Sequence, residues 1–464
     1  MEYVLLLLVL AYAIIVLKTL QHILYYVQEP ARALSWILFV VFVPVFGLLL
    51  FRLIGRSVKQ DKIFQRYLPL GRTYEAIDPK LLPVNQQRIV ELLHKNESSF
   101  LSYNNSIQIL QSGPKAIDQI LDDFEQAKES ICLDFYIIEQ GDFLSRCSDI
   151  FFKKMDEGVE VAVIFDGYGT RKSRGYLLQN LSKLGVKVYE FMPFKWLSLF
   201  SYLNYRNHRK LICVDGIIAY TGGMNVSDNY IREHMDLGLW KDTLIRIHGP
   251  AALDVERVFF RDYFNAGGAK LKDRKEVDIA PGEVPVQIIS SGPDSEYRGI
   301  MQAYFVLITD AEDYVYISSP YFIPGESILT ALKTSALSGV DVRLMFPYKS
   351  DSKWLRWCMY TYLEDLLKAG VKVYLYKGGF LHSKVVVSDD IVASIGTANM
   401  DVRSFETNFE INAMVYDKKA ATDLRAHFLN DIPKCEMLNP DTFAKRDDSN
   451  RLMESIARLS SPML

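Results

Sequence analysis

His208 and Lys210 stand two residues apart at the head of an apolar run, Leu211 to Val214, and His382 and Lys384 repeat that spacing ahead of Val385 to Val387. The same template then closes around each pair: Asp215, Gly222 and Asn225 in the first copy, Asp389, Gly396 and Asn399 in the second. Side chains two apart on a strand share a face, so each imidazole projects with its ammonium. Imidazole can act near neutral pH as nucleophile or proton donor, and lysine supplies positive charge and donors for phosphate oxygens. Asn225 and Asn399 add amide donors. Cleaving a phosphodiester by covalent catalysis needs one group to attack phosphorus and another to protonate the departing alkoxide. Two kits therefore point to one shared site.

A lone histidine is more often a core or surface residue, but two of the chain's seven occupy the same slot of one five-residue template. Asp215 and Asp389 fall an odd number of residues from their histidines, at the far ends of the strands, where fixing a turn and acting electrostatically are both open. The imidazoles need carboxylates to fix their tautomer. Glu410, in Asn408-Phe409-Glu410, and Asp242, in Trp240-Lys241-Asp242, are nominated as these orienters, the alternative being ordinary strand charges.

The elements that carry these residues also recur. Ile131 to Tyr136 parallels Val315 to Pro320, Gly158 to Phe165 parallels Gly339 to Phe346, and Leu184 to Tyr189 parallels Ala369 to Tyr374. Helical patterns precede the Gly-Val steps at Phe143 to Glu157, Leu177 to Leu184, Ser327 to Ser338 and Tyr360 to Ala369. The pattern predicts an α/β sandwich in duplicate, with repeats over 106–270 and 285–434 joined by a linker at 271–284. The first copy carries 11 extra residues before its motif, in the aromatic stretch Phe191 to Arg206, which suits either a bilayer interface or core packing.

At 464 residues and 49% hydrophobic content, two core-bearing units fit. A net charge of −3 argues against a nucleic-acid partner. The five cysteines form no C-x-x-C pair and no histidine is spaced for zinc, so no metal and no cofactor are expected. Residues 1–57 are expected to form a transmembrane hairpin of two helices, spanning about 3–27 and 33–51, with Pro30 at the turn and Pro44 able to kink the second. Arg52, Arg56, Lys59, Lys62 and Arg66 follow it, which by the positive-inside rule puts the remaining chain, and both ends, in the cytoplasm. A juxtamembrane linker at 58–105 with a short helix near Gln86 to Leu93, and a tail at 435–464 with an amphipathic helix that could dock on lipid or on the body, complete the layout.

The two motifs resemble the HKD motifs of the phospholipase D superfamily, and the chain is most similar to the bacterial cardiolipin synthases within it. Arg206 to Lys210, Thr221 to Asn225, Pro320 to Pro324 and Gly396 to Glu410 carry the likeness, as does the segment ending Pro44 to Gly47. Gly222-Gly223 and Gly396-Thr397 stand where the broad superfamily usually has Gly-Ser, and only the first copy lacks the hydroxyl. The resemblance implies two pseudo-symmetric repeats meeting around one phosphate. It implies a cell-membrane enzyme of bacterial type, with phosphatidylglycerol and anionic lipid as partners and an oligomer left open. By superfamily analogy His208 attacks phosphorus and His382 protonates released glycerol. A second phosphatidylglycerol, activated by His382, then takes the phosphatidyl group to give cardiolipin. Hydrolysis, or transfer to another alcohol such as serine or ethanolamine, fits the same motifs.

Overall fold

Gly158, Gly185, Gly339 and Gly370 all take left-handed φ values, between 90° and 99°, each following a helix and leading into a strand. Glycine adopts this region freely, so these four positions end helices and start strands where the Gly-Val steps recur. The computed structural model describes residues 2–27, 29–55, 82–97, 99–193, 205–269 and 281–461.

The strands in chain order are β1 (Leu101–Leu110), β2 (Ser130–Phe135), β3 (Glu160–Asp166), β4 (Lys187–Phe191), β5 (Arg206–Asn207), β6 (Lys210–Val214) and β7 (Ile218–Gly222). There follow β8 (Trp240–Lys241), β9 (Leu244–His248), β10 (Val284–Ser291), β11 (Tyr314–Ser318), β12 (Phe322–Ile323) and β13 (Asp341–Pro347). The last are β14 (Lys372–Tyr376), β15 (Phe380–Leu381), β16 (Val385–Ser388), β17 (Val392–Gly396), β18 (Met400–Asp401), β19 (Asn408–Val415) and β20 (Cys435–Met437).

One sheet holds most of them, in the order β20-β14-β13-β11-β16-β17-β19-β10-β1-β9-β7-β6-β2-β3-β4. Parallel pairing of β2 with β3 and of β3 with β4 matches that of β11 with β13 and of β13 with β14, the right setting for helices on the sheet faces. At the centre β1 changes partner along its length. Leu101, Ser102 and Asn105 pair with β10, and Ser106 to Leu110 pair with β9. Two minor pairings cross between the halves: β5 lies parallel to β19, and β15 parallel to β8.

Part of the expected linker belongs to the body. The helix Val84–Glu97 packs Ile89, Val90 and Leu93 into the core against β10 and the Gly299–Thr309 helix, and Gln287 donates to the Val90 carbonyl at 3.2 Å. Residues 58–81 and 98 of that linker lie outside the described residues, as do 194–204 of the aromatic insertion and 271–280 of the second linker. The tail docks on the body through one face. β20 extends the sheet beside β14, and Asp448–Arg458 packs along the Lys353–Lys368 helix with Ala457 buried, while Leu452, Ile456 and Leu459 stay exposed.

At the start of the chain Glu2–Tyr26 is one continuous helix, but the second apolar stretch differs from the expected span over 33–51. Pro30–Phe42 ends at Val43, Val45 takes φ 60°, and Phe46–Leu50 continued by Phe51–Gly55 runs back along it. Pro44 has no amide hydrogen to give the helix, so the stretch breaks there instead of bending.

Candidate active site

The crossing strands place the two histidines. The His208 amide donates to the Phe409 carbonyl at 3.0 Å, and the His382 amide donates to the Lys241 carbonyl at 2.7 Å. The residue after each of those carbonyls is a nominated carboxylate. His208 Nδ1 lies 2.9 and 3.0 Å from the two Glu410 oxygens, and His382 Nδ1 lies 2.7 Å from Asp242 Oδ2. Each imidazole is thus held by the opposite half of the chain. An ionised carboxylate only accepts, so Nδ1 carries the proton and Nε2 keeps its lone pair for chemistry.

Each lysine folds back on its own histidine backbone, with Lys210 Nζ donating to His208 O at 2.7 Å and Lys384 Nζ to His382 O at 2.5 Å. Both are buried and both feel Glu410 and Asp242 together. Burial pushes the Lys210 ammonium down to about 7 and that of Lys384 down to about 8. Burial, with the nearby lysines, also depresses both imidazoles, His382 to about 3. The imidazoles are therefore held neutral and the lysine protons are weakly held. That state suits a nucleophile.

The carboxylates have their own supports. Thr397 Oγ1 donates to Glu410 Oε2 at 2.5 Å, Ser404 Oγ to Oε1 at 2.8 Å, and Asn408 Nδ2 to Oε1 at 3.4 Å. Burial still raises Glu410 to about 7. On the other side Tyr230 Oη donates to Asp242 Oδ2 at 3.4 Å and also accepts the Asn225 amide at 3.2 Å, just as Ser404 Oγ accepts the Asn399 amide at 3.1 Å. Tyr230 and Ser404 each follow their motif asparagine by five residues, a signal present in the sequence but not used there. The unequal pair Gly223 and Thr397 also has a cause. A Cβ at Gly223 would lie 2.2 Å from Asp242 Oδ1, so the shorter carboxylate needs glycine, whereas the longer Glu410 takes the threonine hydroxyl.

Asn225 Oδ1 accepts the Ile137 amide at 3.3 Å, and Asn399 Oδ1 is buried without a hydrogen-bond partner among the described residues. Asp215 and Asp389 are not brought to the cluster. Asp215 sits beyond the end of β6, roughly 16 Å from Lys210 at about 3.3 Å per residue, and its carboxylate accepts the amides of Lys128, Glu129 and Ser130, each at 2.8 Å. Asp389 takes those of Glu312, Asp313 and Tyr314 at 2.7 to 3.0 Å. Of the two roles left open, this geometry is turn-fixing. Both residues take left-handed φ, 52° and 51°, which aspartate tolerates.

Beneath His208 lies a charged layer that motif reading missed. Arg209 is fully buried, pairs with Asp262, and donates from Nε to the Glu410 carbonyl at 3.2 Å, while Asn207 donates to both Asp134 oxygens at 2.9 and 3.0 Å. Burial and the neighbouring Asp262 raise Asp134 well above the carboxylate range. Ser383, the counterpart of Arg209 in the second motif, is uncharged and meets Thr243 at 3.1 Å, so the arginine and its ion pair belong to the first half alone among the described residues.

Known proteins show which family the chain belongs to. A family model described as a cardiolipin synthase, phospholipase D-like domain matches residues 120–261 and 304–432. A cardiolipin synthase of Oceanobacillus iheyensis is 36% identical over 453 residues, covering 94% of each chain. One from Listeria welshimeri is 36% identical over 455 residues, again covering 94% of each. Among solved structures, a phosphatidylserine synthase from Haemophilus influenzae aligns with a TM-score of 0.61 at 14% identity, covering 82% of this chain and 99% of that one, a likeness of fold.

Proposed function

Since the chain belongs to the phospholipase D-like cardiolipin synthase family, we propose that it transfers a phosphatidyl group from one phosphatidylglycerol to another, giving cardiolipin and glycerol. The observation that carries this reading is the crossed pair of carboxylate-held imidazoles, one from each half, with two lysines that feel both carboxylates.

His208 Nε2 attacks the phosphorus of the first lipid, forming a P–N bond as the P–O bond to glycerol breaks, and His382 passes a proton to the departing oxygen. That imidazole, otherwise held neutral by burial, takes its proton as the anionic headgroup arrives beside Asp242. In the second step His382 removes the proton from the terminal glycerol hydroxyl of another phosphatidylglycerol, whose oxygen displaces His208. Lys210 and Lys384 hold the non-bridging oxygens, the role electrostatic stabilisation assigns to preorganised donors. Asn225 and Asn399 border the same phosphate. The assignment of attack to His208 follows the superfamily analogy.

The two halves act as pseudo-symmetric repeats, a reading supported by the two matched segments and by the strand order, which runs β9-β7-β6-β2-β3-β4 outward on one side and β19-β17-β16-β11-β13-β14 on the other. The enzyme is attached to a bacterial cell membrane with its catalytic body on the cytoplasmic side, supported by the apolar helix Tyr3–Tyr26 and by Arg52 and the basic residues after it. The test is direct. Purified protein in vesicles of labelled phosphatidylglycerol should yield cardiolipin with free glycerol; phosphatidic acid as the product would make it a hydrolase and overturn the reading.

A further inference from the structure

Among the described residues, one helix, Tyr3–Tyr26, is long and apolar enough to cross a membrane. The next, Pro30–Phe42, has 13 residues and rises roughly 20 Å, short of a hydrocarbon core of about 30 Å. Residues 43–55 do not extend it across. The chain reverses at Val43–Val45, level with Tyr12 near the middle of the first helix, whose hydroxyl accepts the Val45 amide at 3.1 Å. The returning arm retraces the outgoing one: a Cβ on Gly47 would lie 2.5 Å from the Phe39 carbonyl, the Phe51 ring sits 5.3 Å from Trp36 and 6.0 Å from His22, and Phe51 shares a buried cluster with Ile23 and Val40. A continuing helix would instead have carried Phe51 toward the first residues of the chain.

Three further features define the surroundings of this short hairpin. Its outer faces are apolar and exposed at Leu34, Leu38, Val41, Phe42, Val45, Phe46 and Leu49, and from Ala33 to Phe51 it has no charge, so the chemistry that covers it is hydrocarbon. The Tyr12 hydroxyl supplies an acceptor at the tip, which a turn placed among lipid tails requires because no water is there. The basic residues Arg32 and Arg52 both fall at the open end of the hairpin, and the far end of the long helix carries Glu2. That open end faces the body: Arg32 lies 3.8 Å from Glu406, which Arg298 also contacts at 2.9 Å. Glu406 ends the helix Val402–Glu406, four residues before the carboxylate that holds His208.

We propose that residues 30–55 form a re-entrant wedge that enters the bilayer from the side of the catalytic body, passes into the hydrocarbon and returns to the same side. Tyr3–Tyr26 is then the single crossing among the described residues, and the start of the chain lies on the face opposite the active site. Under a two-span hairpin Arg32 would stand on the far side; here Arg32 and Arg52 gather on the body's side, as the positive-inside rule prefers. The Arg32–Glu406–Arg298 contact ties the base of the wedge to the wall of the site, which sets the site's mouth beside one leaflet.

This inference rests on the membrane attachment proposed above and not on the reaction. It is tested with the full-length protein in sealed membrane vesicles of known orientation, in a Cys435→Ser background, the other four native thiols being buried. An impermeant maleimide should label Glu2→Cys and Met235→Cys from opposite faces, and Val43→Cys from neither until detergent is added. Labelling of Glu2→Cys from the same face as Met235→Cys, or of Val43→Cys from the far face, would overturn the wedge. Release of the protein by alkaline carbonate would instead refute the attachment itself, and cardiolipin formation assayed in the same vesicles reports separately on the reaction.

Discussion

Glu410 Oε1 lies 2.9 Å from His208 Nδ1, although β19 and the β5–β6 connection that carries His208 belong to opposite halves of the chain. Removing this carboxylate should therefore disable the first imidazole without touching its own half. Glu410→Gln is expected to slow cardiolipin formation by about 10³-fold or more, the scale seen when a histidine loses its orienting carboxylate. Combining it with His208→Ala should add little, because the two act as a unit. Turnover in phosphatidylglycerol vesicles measures both.

The order of the histidines is set by trapping. With labelled phosphatidylglycerol and an acid quench, His382→Ala should retain a protein-bound phosphatidyl group, and His208→Ala should retain none. The reverse pattern would exchange their roles.

Gly223 is where Asp242 needs room. Gly223→Ala puts a methyl 2.2 Å from Asp242 Oδ1, so the carboxylate must shift and His382 loses its support. The expected result is a fall in rate of about 10²-fold, in the range typical of lost general acid–base catalysis, with the protein still folded by circular dichroism.

Asp215 should separate stability from chemistry. Its carboxylate accepts three backbone amides, so Asp215→Ala is expected to lower stability by about 2–4 kcal/mol, from the worth of hydrogen bonds to charged groups. Activity per folded molecule should hold, and Asp215→Asn, which keeps an acceptor, should lose less. Thermal unfolding monitored alongside turnover decides it.

Lys210 and Lys384 give the headgroup affinity a pH dependence. Burial lowers them to about 7 and about 8, so above those values the free site has released protons that phosphate binding must recover. Binding should take up protons and weaken as pH rises from 7 to 9, by up to about tenfold per pH unit for each proton taken up. Calorimetry in buffers of different ionisation enthalpy counts the protons; release instead of uptake would contradict the assignment.

The sequence carried much of this. Spacing alone put both lysines beside their histidines at the head of buried strands, Lys210 opening β6 and Lys384 just ahead of β16, and the Gly-Val steps marked β3, β4, β13 and β14 because a left-handed glycine followed by branched residues has few other uses. Asp242 and Glu410 were found as partners, yet their exchange between halves was not legible, since it depends on β5 reaching β19 and β15 reaching β8, pairings two residues long. Arg209 escaped because an arginine between His208 and Lys210 reads as solvent-facing until the opposite sheet face proves to be filled by Asp262 and Ser291. The span over 33–51 is broken for a related reason: hydropathy counts apolar residues but not the direction they run, and contacts such as those of Gly47 and Phe51 reveal the reversal at Pro44.

The split pairing of β1, with β10 along its first residues and β9 along its last, makes the two halves one continuous hydrogen-bonded surface. Such a seam opposes a swing of the halves apart between turnovers. Admission of the second lipid and departure of a four-tailed product would then proceed without such a swing, by sideways diffusion through the site's mouth. Shielding the covalent intermediate from water would fall to the hydrocarbon around that mouth, so the choice between making a new lipid and destroying an old one would depend on the bilayer as much as on the polypeptide.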